Sequence, residues 1–180
     1  MRLIHRMDGS LFLIGFMGTG KSSVAAALGD MLEQEVMEMD ACIAHREGLS
    51  IPEIFAQKGE SYFRRCETAL LRDCADWEPL IVSCGGGAAM RQENVDAMHR
   101  CGTVILLTAR PEVILERLKD DHSRPLLEGH KDVNYISALM AQRQPRYQAA
   151  ADITVDTSDL TIEEVCHAVL RQININSHTT

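Results

Sequence analysis

The 180-residue chain is poor in aromatic side chains, which make up 4% of it, and has one tryptophan. A core must therefore be built mainly from aliphatic residues, and stacking platforms for bases are scarce. Positive charge is also short. Lys and Arg total 18 against 26 Asp and Glu, a formal net charge of −8. That balance argues against nucleic acid or an anionic membrane as the main partner. Long apolar runs are missing. The stretch Met1 to Gly9 is interrupted by Arg2, His5, Arg6 and Asp8, so neither a signal peptide nor a membrane span is read there. A cytoplasmic location is expected. None of the six cysteines forms a C-x-x-C pair or sits at metal-ligand spacing with a histidine, which argues against structural zinc. Buried or half-buried cytosolic thiols are expected instead. Repeats and linker-like stretches are absent. One domain over residues 1–180 is expected, with a loose leader at 1–10 and a frayed tail at 176–180. The oligomeric state is not readable, and a monomer is favoured.

What the chain does have is alternation. Leu11-Phe12-Leu13-Ile14 reads as a strand, and Lys21 to about Leu32 as a helix with Val24, Ala25, Leu28 and Leu32 on one face. Val36 to Met39 is a short second strand. Ser50 caps a helix through Glu53, with Pro52 tolerated in the first turn. A longer helix is predicted over Ser61–Ala75. Leu80–Ser83 and Thr103–Leu107 are further strands, and Pro111 precedes a helix to Lys119. Residues 120–131, polar and charged, read as a mobile loop. Val133 to about Ala149 is helical, with Pro145 expected to end or kink it. Ile153-Thr154-Val155 is a fifth strand, and Thr161 to Glu164 a capping box that opens the last helix. This order implies βαβ units and a parallel sheet covered on both faces.

One motif carries chemistry outright. Gly15-Phe16-Met17-Gly18-Thr19-Gly20-Lys21-Ser22 matches G-x-x-x-x-G-K-[ST] in full, between a strand and a helix. Glycines let backbone N–H groups turn toward phosphate oxygens, and the helix N-terminus adds positive charge. Gly18, Thr19, Gly20, Lys21, Ser22 and Ser23 are the expected contacts of a nucleoside triphosphate. Lys21 reaches the β- and γ-phosphates, and the Ser22 hydroxyl ligates Mg²⁺. The third strand ends Ser83-Cys84-Gly85 without an acid, so the metal carboxylate is sought on the second, at Glu38 and Asp40. Two acids two residues apart on a strand share a face. One would serve the metal, and the other would accept a proton from, or orient, the incoming hydroxyl.

An anionic acceptor needs a local cation cluster in so acidic a chain. Arg64 and Glu67 stand at i,i+3, a spacing at which Glu67 can fix the arginine. Gly85-Gly86-Gly87, Arg124-Pro125-Leu126-Leu127 and Arg143 complete a set whose order is specific. With the phosphate loop, Met39-Asp40, Ser50-Ile51 with Glu53-Ile54-Phe55, Gly59-Glu60 with Phe63-Arg64, Pro145 with Tyr147, and Ala151-Asp152, the sequence resembles shikimate kinase from about Leu11 to about Leu170. The resemblance implies a three-layer α/β P-loop kinase fold, a five-stranded parallel sheet flanked by helices, with a mobile lid at about 120–131. It implies transfer of the ATP γ-phosphoryl group to the 3-hydroxyl of shikimate, a step of aromatic amino acid biosynthesis, with Mg²⁺ as cofactor. It places Asp40 on the shikimate hydroxyls, Arg64 and Arg143 on the carboxylate, and Gly86 and Gly87 beside the substrate. Arg124 enters with the lid and contacts the phosphates, and Arg117 lies against the adenine. Lys21, Asp40 and Arg124 form the catalytic set.

Three positions depart from the family pattern. Glu38 stands where Asp is usual, which moves the carboxylate by about 1.5 Å. Ala44 stands where an acid is common, and Cys84 where Thr is common. A kinase of a related polyol acid such as gluconate, and a nucleotide-binding regulator without catalysis, are the alternatives these leave.

Overall fold

A computed structural model describes residues 8–119 and 132–176. Five parallel strands form one sheet: β1 (Ser10–Ile14), β2 (Val36–Glu38), β3 (Ile81–Ser83), β4 (Gly102–Thr108) and β5 (Ile153–Asp156). Their order is β2-β3-β1-β4-β5. The central strand β1 is buried along its whole length, as a strand covered on both faces must be. Its register runs Leu11 to Ile81 on one side and Leu11 to Thr103 on the other.

The pleat divides the core in two. Phe12 and Ile14 join Val82, Val104 and Leu106 on one face. There they meet α2 (Met39–Glu47), α3 (Ile51–Lys58), α4 (Glu60–Arg72), α5 (Gln92–Cys101), α6 (Pro111–Leu118) and α7 (Val133–Ala150). Leu11 and Leu13 join Ile81, Ile105, Leu107, Ile153 and Val155 on the other face, under α1 (Lys21–Leu32) and α8 (Ile162–Asn176). The expected three-layer arrangement is present, and Val24, Ala25 and Leu28 are the buried face of α1 as the periodicity requires. Both predicted capping boxes form. The Ser50 N–H donates to Glu53 at 2.8 Å, and the Thr161 N–H to Glu164 at 2.8 Å.

Several expectations need correction. Ser10 is not part of a loose leader, because it is buried in β1 and its hydroxyl accepts from the Leu80 N–H at 3.3 Å. Residues 1–7, 120–131 and 177–180, including the expected lid, lie outside the described residues. The second strand stops at Glu38, which becomes the N-cap of α2, so Asp40 lies in the first helical turn and not on a strand face. Helix α4 ends at Arg72 and passes into a 3-10 turn, Asp73–Asp76. Helix α5 was not foreseen, because no Ser, Thr or Asp opens it. Helix α7 runs through Pro145. Proline there removes the hydrogen bond to Ala141, a loss of about 3 kcal/mol in an isolated helix. Burial of Ile136 before it and of Tyr147 and Ala150 after it holds both halves in one helix. The cysteines are not all thiols either. Cys74 and Cys101 form a disulfide, their Cα atoms 6.3 Å apart where the turn after α4 meets the end of α5.

Candidate active site

The strand order reverses at β1, which lies between β3 and β4. The crevice outside the carboxyl ends of such strands is where open α/β sheets bind ligands. A cavity of about 650 Å³ opens there. Gly18, Gly20, Lys21, Ser22, Ser23, Glu38, Asp40, Arg64, Gly86, Gly87 and Arg143 all line it. Residues separated by more than 120 positions are thus gathered around one cavity by the topology.

The loop after β1 has the build the motif requires. Gly20 caps α1 with φ 94°, in the left-handed region that a side chain disfavours. The Lys21 ammonium donates to the Gly15 carbonyl at 2.9 Å and the Phe16 carbonyl at 3.0 Å. Thr19 does not face the cavity. It is buried, and its hydroxyl donates to the Phe16 carbonyl at 2.8 Å, closing the turn. The Ser22 and Ser83 hydroxyls lie 3.4 Å apart. Ser83, at the buried end of β3, was missed in the sequence because only an acid was sought there.

The opposite wall holds the arginines. Arg64 donates to Glu67 at 2.8 Å and to Glu60 at 2.9 Å, so the contact expected from the i,i+3 spacing is made. Glu67 is fully buried. Burial pushes its carboxyl above the ordinary value, the Arg64 guanidinium draws it back down, and the nearby Asp40 carboxylate pushes it up again. Burial works against the Arg64 charge, yet Glu67 and Glu60 together outweigh it and the guanidinium titrates above its usual range. Glu67 and Asp40 converge on Gly85. A Cβ there would lie 2.6 Å from Glu67 Oε1 and 3.0 Å from Asp40 Oδ1. Arg143 reaches across from α7 and stacks over the Phe16 ring at 5.8 Å. Two cations therefore flank the triple glycine inside a chain of net negative charge.

Arg117 lies outside the cavity wall, at the end of the loop. It donates to the Gly18 carbonyl at 3.1 Å, to the Thr157 hydroxyl at 3.0 Å and to the Thr157 carbonyl at 2.8 Å. The Thr157 hydroxyl also reaches the Thr19 carbonyl at 3.1 Å. This threonine ties the turn after β5 to the phosphate loop, and no sequence signal marked it. Arg124 lies outside the described residues.

Cys84 lines the cavity just before the triple glycine. It is 2% exposed, and burial pushes its thiol far above the ordinary range. The thiolate is the reactive form, so this cysteine is protected. Alkylation with iodoacetamide at pH 7.5, read by mass spectrometry, is expected to label the half-buried Cys42 and Cys66 before Cys84 and Cys166. Cys84 labelled first would contradict its burial.

The family model for shikimate kinase matches residues 17–174. A shikimate kinase of Dehalococcoides mccartyi is 42% identical over 164 residues, covering 91% of this chain and 93% of that one. A shikimate kinase of Acinetobacter baumannii, solved in complex with shikimate, superposes with a TM-score of 0.87 at 30% identity, covering 93% of this chain and 94% of its own. The shikimate kinase of Aquifex aeolicus gives 0.81 at 38% identity, over 93% and 98%. A phosphate loop facing a pair of arginines across a glycine turn, on this sheet and with this extent of likeness, makes the chain a member of the shikimate kinase family.

Proposed function

We propose that this enzyme transfers the γ-phosphoryl group of ATP to the 3-hydroxyl of shikimate, with the roles divided across the cavity as follows. The observation that carries the division is the pairing of Arg64 and Arg143 on the wall facing the phosphate loop. In an acidic chain, such a pair suits a small carboxylate.

On the donor side, backbone N–H groups of Gly18 to Ser23 surround the phosphates. Lys21 exchanges its two loop carbonyls for phosphate oxygens, and its charge follows the γ-phosphoryl group. Ser22 and Glu38 supply only hard oxygen donors. Among the described residues no cluster of three or more His, Cys, Asp or Glu could hold a metal. Two protein oxygens completed by phosphates and water suit Mg²⁺ and not zinc. Bound there, the ion neutralises charge on the transferred group. Arg117, anchored to Thr157, presents an exposed flat face for the adenine. Arg124 keeps its role at the phosphates on the strength of its motif.

On the acceptor side, Arg64 and Arg143 take the carboxylate, with Gly86 and Gly87 contributing backbone. Asp40 orients the hydroxyl and accepts its proton as the O–P bond forms. Glu67 holds Arg64 in place from beneath. Closure over residues 120–131 would exclude water as a competing acceptor. No helix among the described residues is long and apolar enough to cross a membrane. A monomeric cytoplasmic enzyme remains our expectation.

Purified protein with MgATP and shikimate, followed by coupled ADP release, is expected to turn over well above the no-acceptor background. Gluconate in place of shikimate is expected to give background only. Turnover on gluconate alone would reassign the acceptor, and binding of ATP without turnover on either would make the chain a regulator.

A further inference from the structure

The family motif contains Tyr147, but nothing above gives it a task. Its ring is 4% exposed, packed into the core beneath the acceptor wall. Its hydroxyl donates a hydrogen bond to the Gly86 carbonyl. The Arg143 guanidinium, one helical turn earlier on α7, lies near the same hydroxyl, and its charge draws the phenol's pKa back down against burial. The two side chains come to the glycine together. A Cβ at Gly86 would lie 3.8 Å from Arg143 Nη1 and 3.9 Å from Tyr147 Oη. A charged side chain and a backbone turn thus come together beside one buried phenol.

The backbone consequence follows from peptide planarity. No cis peptide occurs among the described residues, so the Gly86 carbonyl and the Gly87 N–H point in opposite directions. Fixing the carbonyl on the phenol fixes the N–H on the other side. Among the described residues nothing accepts from that N–H, and Gly87 lines the cavity. Helix α7 brings both anchors because it runs unbroken through Pro145, keeping Arg143 and Tyr147 four residues apart on one face.

We infer that Tyr147 is a positioning residue for acceptor binding, whose hydroxyl holds both the Arg143 guanidinium and the Gly86–Gly87 peptide in the orientation that receives the acceptor carboxylate. This rests on the acceptor site proposed above. A buried phenol that merely filled space would give the same packing without the coupling, and the two roles separate experimentally.

Tyr147→Phe keeps the ring and deletes the hydroxyl. It is expected to raise the KM for shikimate about tenfold, the size of one lost hydrogen bond to a charged group, while the KM for ATP stays within about twofold. With the methyl ester of shikimate, which lacks the anionic group, variant and parent are expected to differ by less than about twofold. Equal losses with acid and ester, or equal rises in both KM values, would overturn the inference in favour of packing alone. Arg143→Ala is the control for the site. If it leaves the KM for shikimate unchanged, the acceptor site itself is misassigned. If it raises that KM and Tyr147→Phe does not, only the role of Tyr147 fails. A measurement on the chain with Tyr147 retained guards against a misfolded variant. The chain has three tyrosines, so 3-fluorotyrosine labelling gives a simple fluorine spectrum, assigned through Tyr62→Phe and Tyr135→Phe. Shikimate is expected to move the Tyr147 signal and the methyl ester to leave it in place. A signal indifferent to shikimate would count against the coupling.

Discussion

Replacing Lys21 with Met is expected to lower kcat by roughly a thousandfold or more while leaving the protein folded. In the structure the ammonium bonds the Gly15 and Phe16 carbonyls, both within its own loop. Those carbonyls face the cavity side of an already hydrogen-bonded turn, so losing the lysine costs little stability. What is lost is a positive charge that can move onto the γ-phosphoryl group as its oxygens gain charge. The effect therefore falls on kcat more than on ATP binding. Coupled ADP release gives kcat, and a thermal scan confirms folding. A folded Met variant keeping more than about a tenth of parental kcat, a barrier change below about 1.4 kcal/mol, would show that Lys21 does not serve the transferred group.

The second large effect is expected from one added methyl group. Gly87 has φ −100° and ψ −5°, a backbone any residue adopts, so Gly87→Ala carries no conformational penalty. Its Cβ, however, would lie 2.2 Å from Arg64 Nη1 and 2.4 Å from Cζ. The guanidinium, at the far end of a long side chain, must leave Glu60 and Glu67 and swing away. Shikimate then loses one of its two cations, and its KM is expected to rise on the order of a hundredfold, equivalent to about 2.7 kcal/mol. Little change is expected in the KM for ATP.

Displacing Arg64 also strips Glu67 of the bond at 2.8 Å that offsets its burial. The carboxyl, already above its ordinary 4.5 in the parent, climbs further. A group whose folded pKa is raised contributes stability below its unfolded pKa, and that contribution is lost as pH rises toward the folded value. The Ala variant should therefore be close to the parent near pH 4 and fall progressively below it up to neutrality. Thermal midpoints across that range test the sign. A deficit that grew toward acid would mean that Arg64 had not left Glu67.

The parallel sheet was legible because the strands are short apolar runs and the crossovers, except α5 between β3 and β4, carry a helical pattern. The phosphate loop was legible because its spacing is itself the mechanism. Arg64 with Glu67 could be read for a similar reason, since one helical turn brings them together whatever the rest of the chain does. Other features depend on contacts that no local pattern records. Pro145 looked like a helix end because the burial of Ile136 and Tyr147 on either side of it is tertiary. Asp40 was placed correctly in the cavity for the wrong local reason, because three residues are too few to show where β2 yields to α2. Ser83, Thr157 and the Cys74–Cys101 pair gain meaning only from partners 27 or more positions away.

The sheet order has a consequence for redesign. Residues assigned to the nucleotide come from the loop after β1, from α1, from α6 and, with Arg124, from residues 120–131, whereas Asp40, Arg64 and Glu67 come from a continuous stretch, α2 to α4, on the β2 side. That stretch can be exchanged as a cassette without touching the nucleotide half. Arg143 stays behind, because α7 packs against α6 and β4. Grafted cassettes would thus vary the hydroxyl pattern of the acceptor freely while inheriting a fixed demand for an acid group.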